Sequence, residues 1–235
     1  MSNLALVIPV EKPNKQGPMG FKEEQKRQRQ IVSQTLMEGA LQLSAEEGYA
    51  SLSLRSVARK AGIAPTSFYR HFRDMDELGL ALVDQAAELL QPALEKALDA
   101  MDYGAPGKNA GPAQIAEALE GVVSPFVECF FEVTAENQNL FRLFFQERTG
   151  SSRALRESAA QEFEKSAQAL WERMDSLDMD FGDGRETGPA LAMAMLNLAA
   201  AAAQETICRE SDAWPEAKAR TARECVFMLL GALLS

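Results

Sequence analysis

The chain has 235 residues, with 24 Lys and Arg against 34 Asp and Glu, so its formal net charge at neutral pH is −10. Hydrophobic residues make up 46% of it, enough for a core, and no run approaches the roughly 20 uninterrupted apolar residues of a membrane span. Its single histidine and three separated cysteines (Cys129, Cys208 and Cys225) exclude a disulfide framework and a zinc site of the usual spacing. Buried thiols are expected, with a redox-sensing cysteine as the alternative.

The charge is divided unevenly along the chain. Residues 1–74 hold 11 basic and 7 acidic side chains, a charge of +4, whereas the remainder holds 13 basic and 27 acidic side chains, a charge of −14. A basic N-terminal region orients toward a polyanion such as DNA, and an acidic remainder stays off the phosphates. The acidic total therefore does not exclude a nucleic-acid partner.

Residues 1–21 are predicted to be a flexible extension. Leu4–Ile8 is apolar, but no basic segment precedes it and no cleavage site follows, so it is not interpreted as a signal peptide. The first helix is expected to begin near Lys22, after several Pro and Gly residues. Its basic start has two interpretations, phosphate contact or ordinary solvation, and comprises Lys22, Lys26, Arg27 and Arg29.

Residues 54–72 are predicted to form two short helices joined by a tight turn. The first has one apolar face, made by Leu54, Val57, Ala58 and Ala61. Ser53 is its expected N-cap, and Gly62 is placed where a helix stops. Pro65 suits the first turn of the next helix, and it pushes Ala64 away from helical angles.

The second of these helices divides into two faces at about 100° per residue. Phe68 and Phe72 lie together toward the core, and Arg70 points directly away from them. A helix in the DNA major groove needs this layout, because Arg reads guanine in bidentate fashion and the flanks contact phosphates. The predicted DNA contacts are Arg55, Thr66, Ser67, Tyr69, Arg70, His71 and Arg73. The alternative is a surface helix of a generic bundle.

The rest of the chain shows helical patterns. Asp74 is predicted to cap a long helix that continues to Leu94, with a kink near Leu90 caused by Pro92. A loop is expected over 103–112. Further helices are predicted over 113–134, 138–147 and 152–177, followed by an acidic loop over 178–188, a helix opened by Pro189 and a last helix over 215–234.

Six of the 12 phenylalanines fall between Phe126 and Phe145. They are expected to pack in the core, or to line a tunnel for an apolar ligand through Phe126, Phe130, Phe144 and Phe145. A basic group adjoins them, with Arg142, Arg148, Arg153 and Arg156 against Glu147. Such arginines could bind the phosphates of a coenzyme; the alternative is that they are exposed and paired with Glu157, Glu162 or Glu164.

The last two helices are predicted to form an oligomer contact. Ala190–Ala203 is rich in alanine, which lets two helix axes approach closely, and Cys225–Leu234 is almost wholly apolar. A two-fold dimer would place two recognition helices one DNA turn apart, about 34–36 Å. The alternative is burial within one chain.

Three segments also carry a resemblance to a known family. AGIAPTSFYRHF at 61–72, followed by RDMDEL at 73–78, resembles the DNA-binding region of TetR-type transcriptional regulators. The resemblance extends upstream over 43–54 and resumes at NLFRLFFQERTG over 139–150. Within the family, the sequence of these segments is most similar to that of bacterial repressors of unsaturated fatty-acid synthesis, which sense acyl-CoA.

This resemblance implies an all-α fold of about nine helices. A three-helix helix-turn-helix domain would span 22–73, and a ligand-binding and dimerisation domain would span 74–235. It implies a homodimeric cytoplasmic (nucleoid-associated) repressor of fatty-acid desaturation genes, which binds double-stranded DNA at a palindromic operator and has long-chain acyl-CoA as its effector.

No cofactor, metal site, membrane partner or catalytic activity is expected. The single His71 lies in the proposed DNA helix, so no catalytic triad can be built around it. A TetR-type multidrug sensor that controls an efflux pump is one alternative, and a helical protein-interaction module is another.

Overall fold

The computed structural model describes residues 18–104, 106–107, 109–177, 179, 184–209 and 212–234. These residues form nine α-helices and one short 3-10 turn, with no strand among them, which confirms the all-α prediction. The elements are α1 (Pro18–Glu47), the 3-10 turn (Tyr49–Ser51), α2 (Leu54–Lys60), α3 (Pro65–Phe68), α4 (Met75–Ala100), α5 (Pro112–Glu136), α6 (Gln138–Glu147), α7 (Arg153–Ser176), α8 (Gly184–Cys208) and α9 (Trp214–Leu233).

Several helix ends lie where the local sequence predicts them. Asp74 caps α4 by accepting a hydrogen bond from the backbone N–H of Glu77 at 2.8 Å. Ser152 caps α7 in the same way, through the N–H of Leu155. A side-chain oxygen at this position satisfies one of the donors that a helix start leaves free.

Two helices begin earlier than predicted. Helix α1 begins at Pro18 rather than near Lys22, because a proline in the first turn loses no intrahelical hydrogen bond. Helix α8 begins at Gly184, so that Pro189 lies inside it rather than at its start. The remainder of the predicted extension, residues 1–17, lies outside the described residues, as do residues 178 and 180–183 of the predicted acidic loop.

The start of α8 is fixed by packing against α7. A Cβ added at Gly188 would lie 2.0 Å from the ring of Trp171, so the backbone of α8 lies directly against this indole. Only glycine allows such an approach. Tertiary packing therefore overrides the local signal that Pro189 gives.

The helices form two packed groups around one continuous core. In the first group, α1 packs on α2 and on the 3-10 turn, and α2 packs on α3. In the second group, α5 packs on α4 and α9, while α7 packs on α4 and α8. Contacts of α1 with α6 and α4 join the two groups.

Helix α8 is also long and apolar enough, over Thr187–Cys208, to cross a membrane by length and composition. Half of this segment is buried inside the fold, against α5, α6, α7 and α9. A core helix of a globular protein has the same properties, and the packing of α8 is that of a core helix.

Candidate nucleic-acid interface and effector region

The helix-turn-helix is built by local signals that agree with one another. Ser53 and Ser56 cap α2 reciprocally, since each side-chain oxygen accepts from the other residue's backbone N–H. Gly62 follows α2 with φ of 68°, a conformation that favours glycine. Ala64 is extended, with φ −62° and ψ 135°, and Pro65 opens α3. The turn is thus fixed from both sides, as predicted.

The recognition segment, residues 65–72, is shorter as an α-helix than predicted. It is α-helical only over Pro65–Phe68 and then tightens, because the N–H groups of Arg70 and His71 bond three residues back. The predicted inner face is nevertheless confirmed. Phe68 and Phe72 are buried, and a hydrogen bond from Phe72 N to Phe68 O keeps them one turn apart.

The opposite face of the recognition segment meets solvent. Thr66 and Arg70 are exposed, and Tyr69 keeps 65% of its accessible surface. Tyr69 rests edge-on against Phe68, with ring centroids 6.2 Å apart. Among the described residues, none of these three side chains has a hydrogen-bonding or ion-pair partner, so their polar groups are available to a ligand. Ser67 beside them is half-buried.

The helical wheel predicts that His71 and Tyr69 flank Arg70 in equivalent positions, but only Tyr69 is exposed in this way. The tighter coil turns the ring of His71 toward α1, where its Nδ1 lies 3.0 Å from Oγ of Ser33. The ring is half-buried, and its pKa lies below the ordinary 6.5, chiefly through burial and further through the charges of Arg29 and Arg70. The two predicted flanking contacts are therefore unequal.

Two further arginines are among the predicted DNA contacts. Arg55, the second residue of α2, is exposed. Arg73 is exposed as well, but its Nε forms an ion pair with the cap residue Asp74 at 3.1 Å. The hydrogen bond from the backbone N–H of Glu77, followed by the hydrogen bond and charge of Arg73, holds the pKa of Asp74 below its usual value. Six of the seven predicted DNA contacts thus lie in the recognition segment or directly after it, and the seventh, Arg55, lies on α2.

The predicted ligand-lining phenylalanines lie together in one closed aromatic cluster. Phe126 contacts Phe130 at 5.8 Å between centroids, and Phe130 stacks on Phe145 at 6.1 Å with an interplanar angle of 18°. Phe144 packs against Phe145 at 5.9 Å, and Phe163 of α7 joins both. All five rings are buried. As described, the cluster is core, and only displacement of these rings would open a tunnel.

Arg142 connects two helix ends. Its Nη1 donates to the carbonyl of Ala45 in α1 at 3.2 Å, and its Nη2 donates to the carbonyl of Ile207 in α8 at 2.9 Å. Cations at helix C-termini satisfy free carbonyls and interact favourably with the helix dipole. Arg142 therefore ties the N-terminal helices to the end of α8.

Arg148 lies at the edge of the aromatic cluster. Its guanidinium carbon is 3.5 Å from the centroid of Phe163, and its Nη2 donates to Oδ1 of Asn197 at 2.7 Å. Burial lowers the pKa of Arg148. No carboxylate among the described residues lies within ion-pair distance, so this partly buried cation is balanced only by a ring and an amide.

The other two arginines of the basic group have protein partners. Arg153 is exposed and paired with Glu157 at 2.7 Å, which is one of the pairings left open by the sequence. Arg156 donates to the carbonyl of Gly150 at 2.7 Å. The four guanidinium groups are thus engaged separately, and Arg148 alone adjoins the aromatic cluster.

A cleft lies at the opposite end of α5. It has a volume of about 670 Å³, is broadly open to solvent, and is lined by the α4–α5 loop, including Asp102 and Tyr103, and by Glu117 and Gly121 of α5. It is separate from the aromatic cluster. In the described part of the chain, no group of three or more His, Cys, Asp or Glu side chains is arranged to hold a metal ion.

Polar contacts attach the start of α4 to the 3-10 turn and to the start of α7. The hydroxyl of Tyr49 donates to the carbonyl of Met75 at 2.5 Å, linking the 3-10 turn to the start of α4. Ser152, at the start of α7, bonds Asp76 of α4 at 3.0 Å. Glu147 is buried nearby, and burial followed by the charge of Asp76 raises its pKa.

Sequence reasoning missed three of these partners. Ser33, Tyr49 and Asn197 each bond a residue far away in the chain. Their local surroundings are those of ordinary helix or turn positions. The only signal for them was the polar residue type.

Comparisons with known proteins agree with this architecture. Residues 36–82, which run from α1 through the recognition segment into α4, match the family described as bacterial regulatory proteins, tetR family. The fold is similar to that of the fatty acid degradation regulator FadR from Bacillus halodurans, with a TM-score of 0.59 and 14% sequence identity over 84% of this chain and 97% of that one.

Two other solved structures have the same fold. A putative fatty acid metabolism regulator from Clostridium perfringens has a TM-score of 0.58 at 16% identity, over 84% of this chain and 97% of that chain. The multidrug binding protein EbrR, complexed with imidazole, has a TM-score of 0.51 at 18% identity, over 81% of this chain and 93% of that chain. Residues 36–82 thus match the tetR family of bacterial regulatory proteins over the helix-turn-helix, and the described chain joins these helices to a helical C-terminal domain in a fold similar to that of the three solved structures.

Proposed function

We propose that this protein is a homodimeric repressor whose operator binding is modulated by long-chain acyl-CoA, and which controls genes of fatty-acid desaturation. The observation that carries the DNA-binding part is the divided recognition segment. Thr66, Tyr69 and Arg70 are exposed without hydrogen-bonding or ion-pair partners among the described residues, and Phe68 and Phe72 of the same segment are buried. Exposed side chains on a helix held by its inner face can enter the major groove and read base edges.

The experiment for this part begins with selection of a duplex from a random-sequence pool on the wild-type protein. Arg70→Ala is expected to weaken binding of the selected duplex by about 5- to 150-fold, since a bidentate arginine–guanine pair contributes roughly 1–3 kcal/mol. Arg209→Ala is the matched control, because Arg209 is an exposed arginine in a surface pair with Glu205. Equal affinities of the two variants would refute sequence reading by Arg70.

The homodimer is supported by the outer face of α9. Phe227 is 70% exposed, and Leu234, the C-cap residue directly after α9, is 54% exposed. The backbone of Leu234 keeps a helical conformation, so the spacing of seven residues places both side chains on the same side of the helix end. The exposed Gly231 between them leaves open space beside its backbone. An apolar face of this kind is typical of a helix that pairs with a partner subunit. Phe227→Glu is expected to yield monomers in analytical ultracentrifugation, and an unchanged dimer would place the interface elsewhere.

The effector part is supported by the pairing of the aromatic cluster with Arg148. A long acyl chain needs an apolar channel and a coenzyme A phosphate needs a cation, and here the two chemistries adjoin. Two similar folds are described as regulators of fatty acid metabolism or degradation. Entry of an acyl chain requires the phenylalanine rings to separate, so binding would alter the packing of α5, α6 and α7.

The effector is tested by titrating palmitoyl-CoA and oleoyl-CoA into the complex with the selected duplex. Free coenzyme A and free palmitate separate the contributions of the head group and the chain. We expect a change in DNA affinity with one or both acyl-CoA compounds and little change with either fragment. A ligand can shift DNA affinity only by its differential affinity for the two states of the protein.

A multidrug sensor is the second candidate. The fold is also similar to that of the multidrug binding protein EbrR, and the stacked rings could accept a flat or cationic drug. Tetraphenylphosphonium discriminates between the candidates. A change in DNA affinity with this cation, and none with either acyl-CoA, would favour the multidrug sensor.

A further inference from the structure

The ring of His71 is held by a residue outside the helix-turn-helix. Oγ of Ser33 lies 3.0 Å from Nδ1 of His71, in a contact that spans 38 positions of the chain. Ser33 is half-buried on α1, and His71 is half-buried at the end of the recognition segment. His71 is also the single histidine of the chain. One hydroxyl thus fixes the orientation of one imidazole beside the DNA-reading face.

The hydrogen bond leaves the second ring nitrogen free. Within the described residues, Nε2 of His71 forms no hydrogen bond. In the protonated ring both nitrogens donate, so Nδ1–H can donate to Ser33 while Nε2–H donates to another acceptor. A phosphate oxygen at the wall of the groove is such an acceptor, and a charged donor strengthens that bond.

The surroundings of His71 oppose its protonation in the free protein, and a DNA phosphate would favour it. Burial, and then the charges of Arg29 on α1 and Arg70 in the recognition segment, disfavour the cationic form of the ring in the free protein. A bound phosphate has the opposite sign and favours the cation. DNA binding and proton uptake by His71 therefore favour each other.

We propose that Ser33 is a positioning residue that aims His71 at a DNA phosphate, so that the affinity for DNA increases as His71 becomes protonated. This proposal rests on the proposed DNA-binding function.

The sign follows from linkage between proton and DNA binding. In the free protein the pKa of His71 lies below 6.5, and in the complex the phosphate raises it. Between these two pKa values, each subunit takes up a proton on binding, so affinity increases as pH falls, by at most about tenfold per pH unit per subunit. Above the pKa of the complex, affinity loses this dependence.

The experiment measures the affinity of the full-length dimer for the selected duplex by fluorescence anisotropy, from pH 5.5 to 8 at constant ionic strength. Four variants are compared with the wild type: Ser33→Ala, Ser33→Thr, His71→Asn and Thr35→Ala. Thr35→Ala is the matched control, because its hydroxyl lies on the same helix but donates to the carbonyl of Ile31. Far-ultraviolet circular dichroism at each pH checks that every variant is folded.

We expect the wild type, Thr35→Ala and Ser33→Thr to bind several-fold more tightly at pH 6 than at pH 8. His71→Asn should lose this dependence, and Ser33→Ala should lose most of it. Wild-type affinity that does not change with pH, or a pH profile of Ser33→Ala equal to that of the wild type, would overturn the proposal. Dependence that persists in His71→Asn would also overturn it, by assigning the proton to another group.

Failure of this proposal is distinguishable from failure of the proposed function. Arg70→Ala tests whether the recognition segment reads DNA at any pH. If Arg70→Ala weakens binding while the affinity of the wild type does not change with pH, the DNA-binding function is supported and the role of Ser33 and His71 is refuted. If Arg70→Ala has no effect, the DNA-binding assignment itself falls.

Discussion

The recognition segment and the arginine group near the aromatic cluster differ in whether their polar side chains have hydrogen-bond partners. Thr66 and Arg70 are exposed and have no polar partner among the described residues. Arg142, by contrast, donates to two backbone carbonyls. On the surface proposed to bind DNA the donors stay available, whereas a partly buried cation takes its acceptors from the fold itself. Even so, the buried Nε of Arg142 has no hydrogen-bond partner among the described residues. The partners of a side chain therefore separate a binding residue from a structural one better than its type does.

The largest expected difference between the two regions is in stability. Phe144→Ala removes a fully buried ring and should lower the free energy of unfolding by about 3–5 kcal/mol. Tyr69→Ala removes a ring that is mostly exposed and should change it by less than about 0.5 kcal/mol, while weakening DNA binding. Urea denaturation measures both. A small loss in Phe144→Ala would mean that the cluster is loosely packed, which would favour a preformed ligand tunnel.

The next largest effect is expected at Arg142. Arg142→Met removes both hydrogen bonds to helix ends, which at roughly 1.5–3 kcal/mol each contribute about 3–6 kcal/mol. It also removes the buried Nε of Arg142, which has no hydrogen-bond partner among the described residues and costs roughly 1–3 kcal/mol, so the net loss should be about 2–3 kcal/mol. Arg153→Met is the control, because an exposed ion pair contributes at most about 1 kcal/mol. Because the bonds of Arg142 join α1 to α8, its loss should also separate the unfolding of the two helix groups in calorimetry. A single unchanged transition would contradict this.

A smaller effect is expected at Arg148. Arg148→Gln should lower the free energy of unfolding by about 1 kcal/mol, through loss of the cation–π contact with Phe163. If Arg148 binds a coenzyme phosphate, the variant should also lose the response of DNA affinity to palmitoyl-CoA. A full response in a folded Arg148→Gln would assign Arg148 to structure alone and make the two regions still more distinct.

The smallest effect is a pH dependence at Glu147. Its pKa is raised by burial and by Asp76, so the folded protein binds this proton more tightly than the unfolded chain does. The resulting stabilisation is present below the ordinary pKa of 4.5 and is lost as pH rises through the raised value. Glu147→Gln should therefore flatten the decline of stability between pH 4.5 and 7. An unchanged slope in urea denaturation would contradict the assignment.

Local sequence signals were sufficient for most of the fold. The caps Ser53, Asp74 and Ser152, and the turn between Gly62 and Pro65, determine their own neighbourhoods through backbone hydrogen bonds within four residues. The periodicity of the recognition segment predicted that Phe68 and Phe72 are buried, because residues four positions apart lie on one face of a helical turn. Arg70 could be predicted as exposed because its direction follows from theirs.

Contacts distant in sequence could not be predicted in this way. The orientation of His71 depends on Ser33, and the position of Pro189 within α8 depends on Trp171 meeting Gly188. The two bonds of Arg142 depend on how α1, α6 and α8 come together. Each is a property of helix packing, so a pattern within one helix contains no information about it.

The bond between Tyr49 and Met75 has a mechanical consequence. Helix α4 has 26 residues and is therefore about 39 Å long at 1.5 Å per residue, and this bond attaches its first residue to the DNA-facing helices. A rigid lever of that length, tilted by about 5° about its far end, moves its near end by about 3 Å. In a two-fold dimer, opposite displacements of that size would change the reach between the two recognition segments by an appreciable part of one helical turn of DNA. In such a dimer, a small repacking around α4 would be enough to move the two recognition segments out of register with successive turns of the major groove.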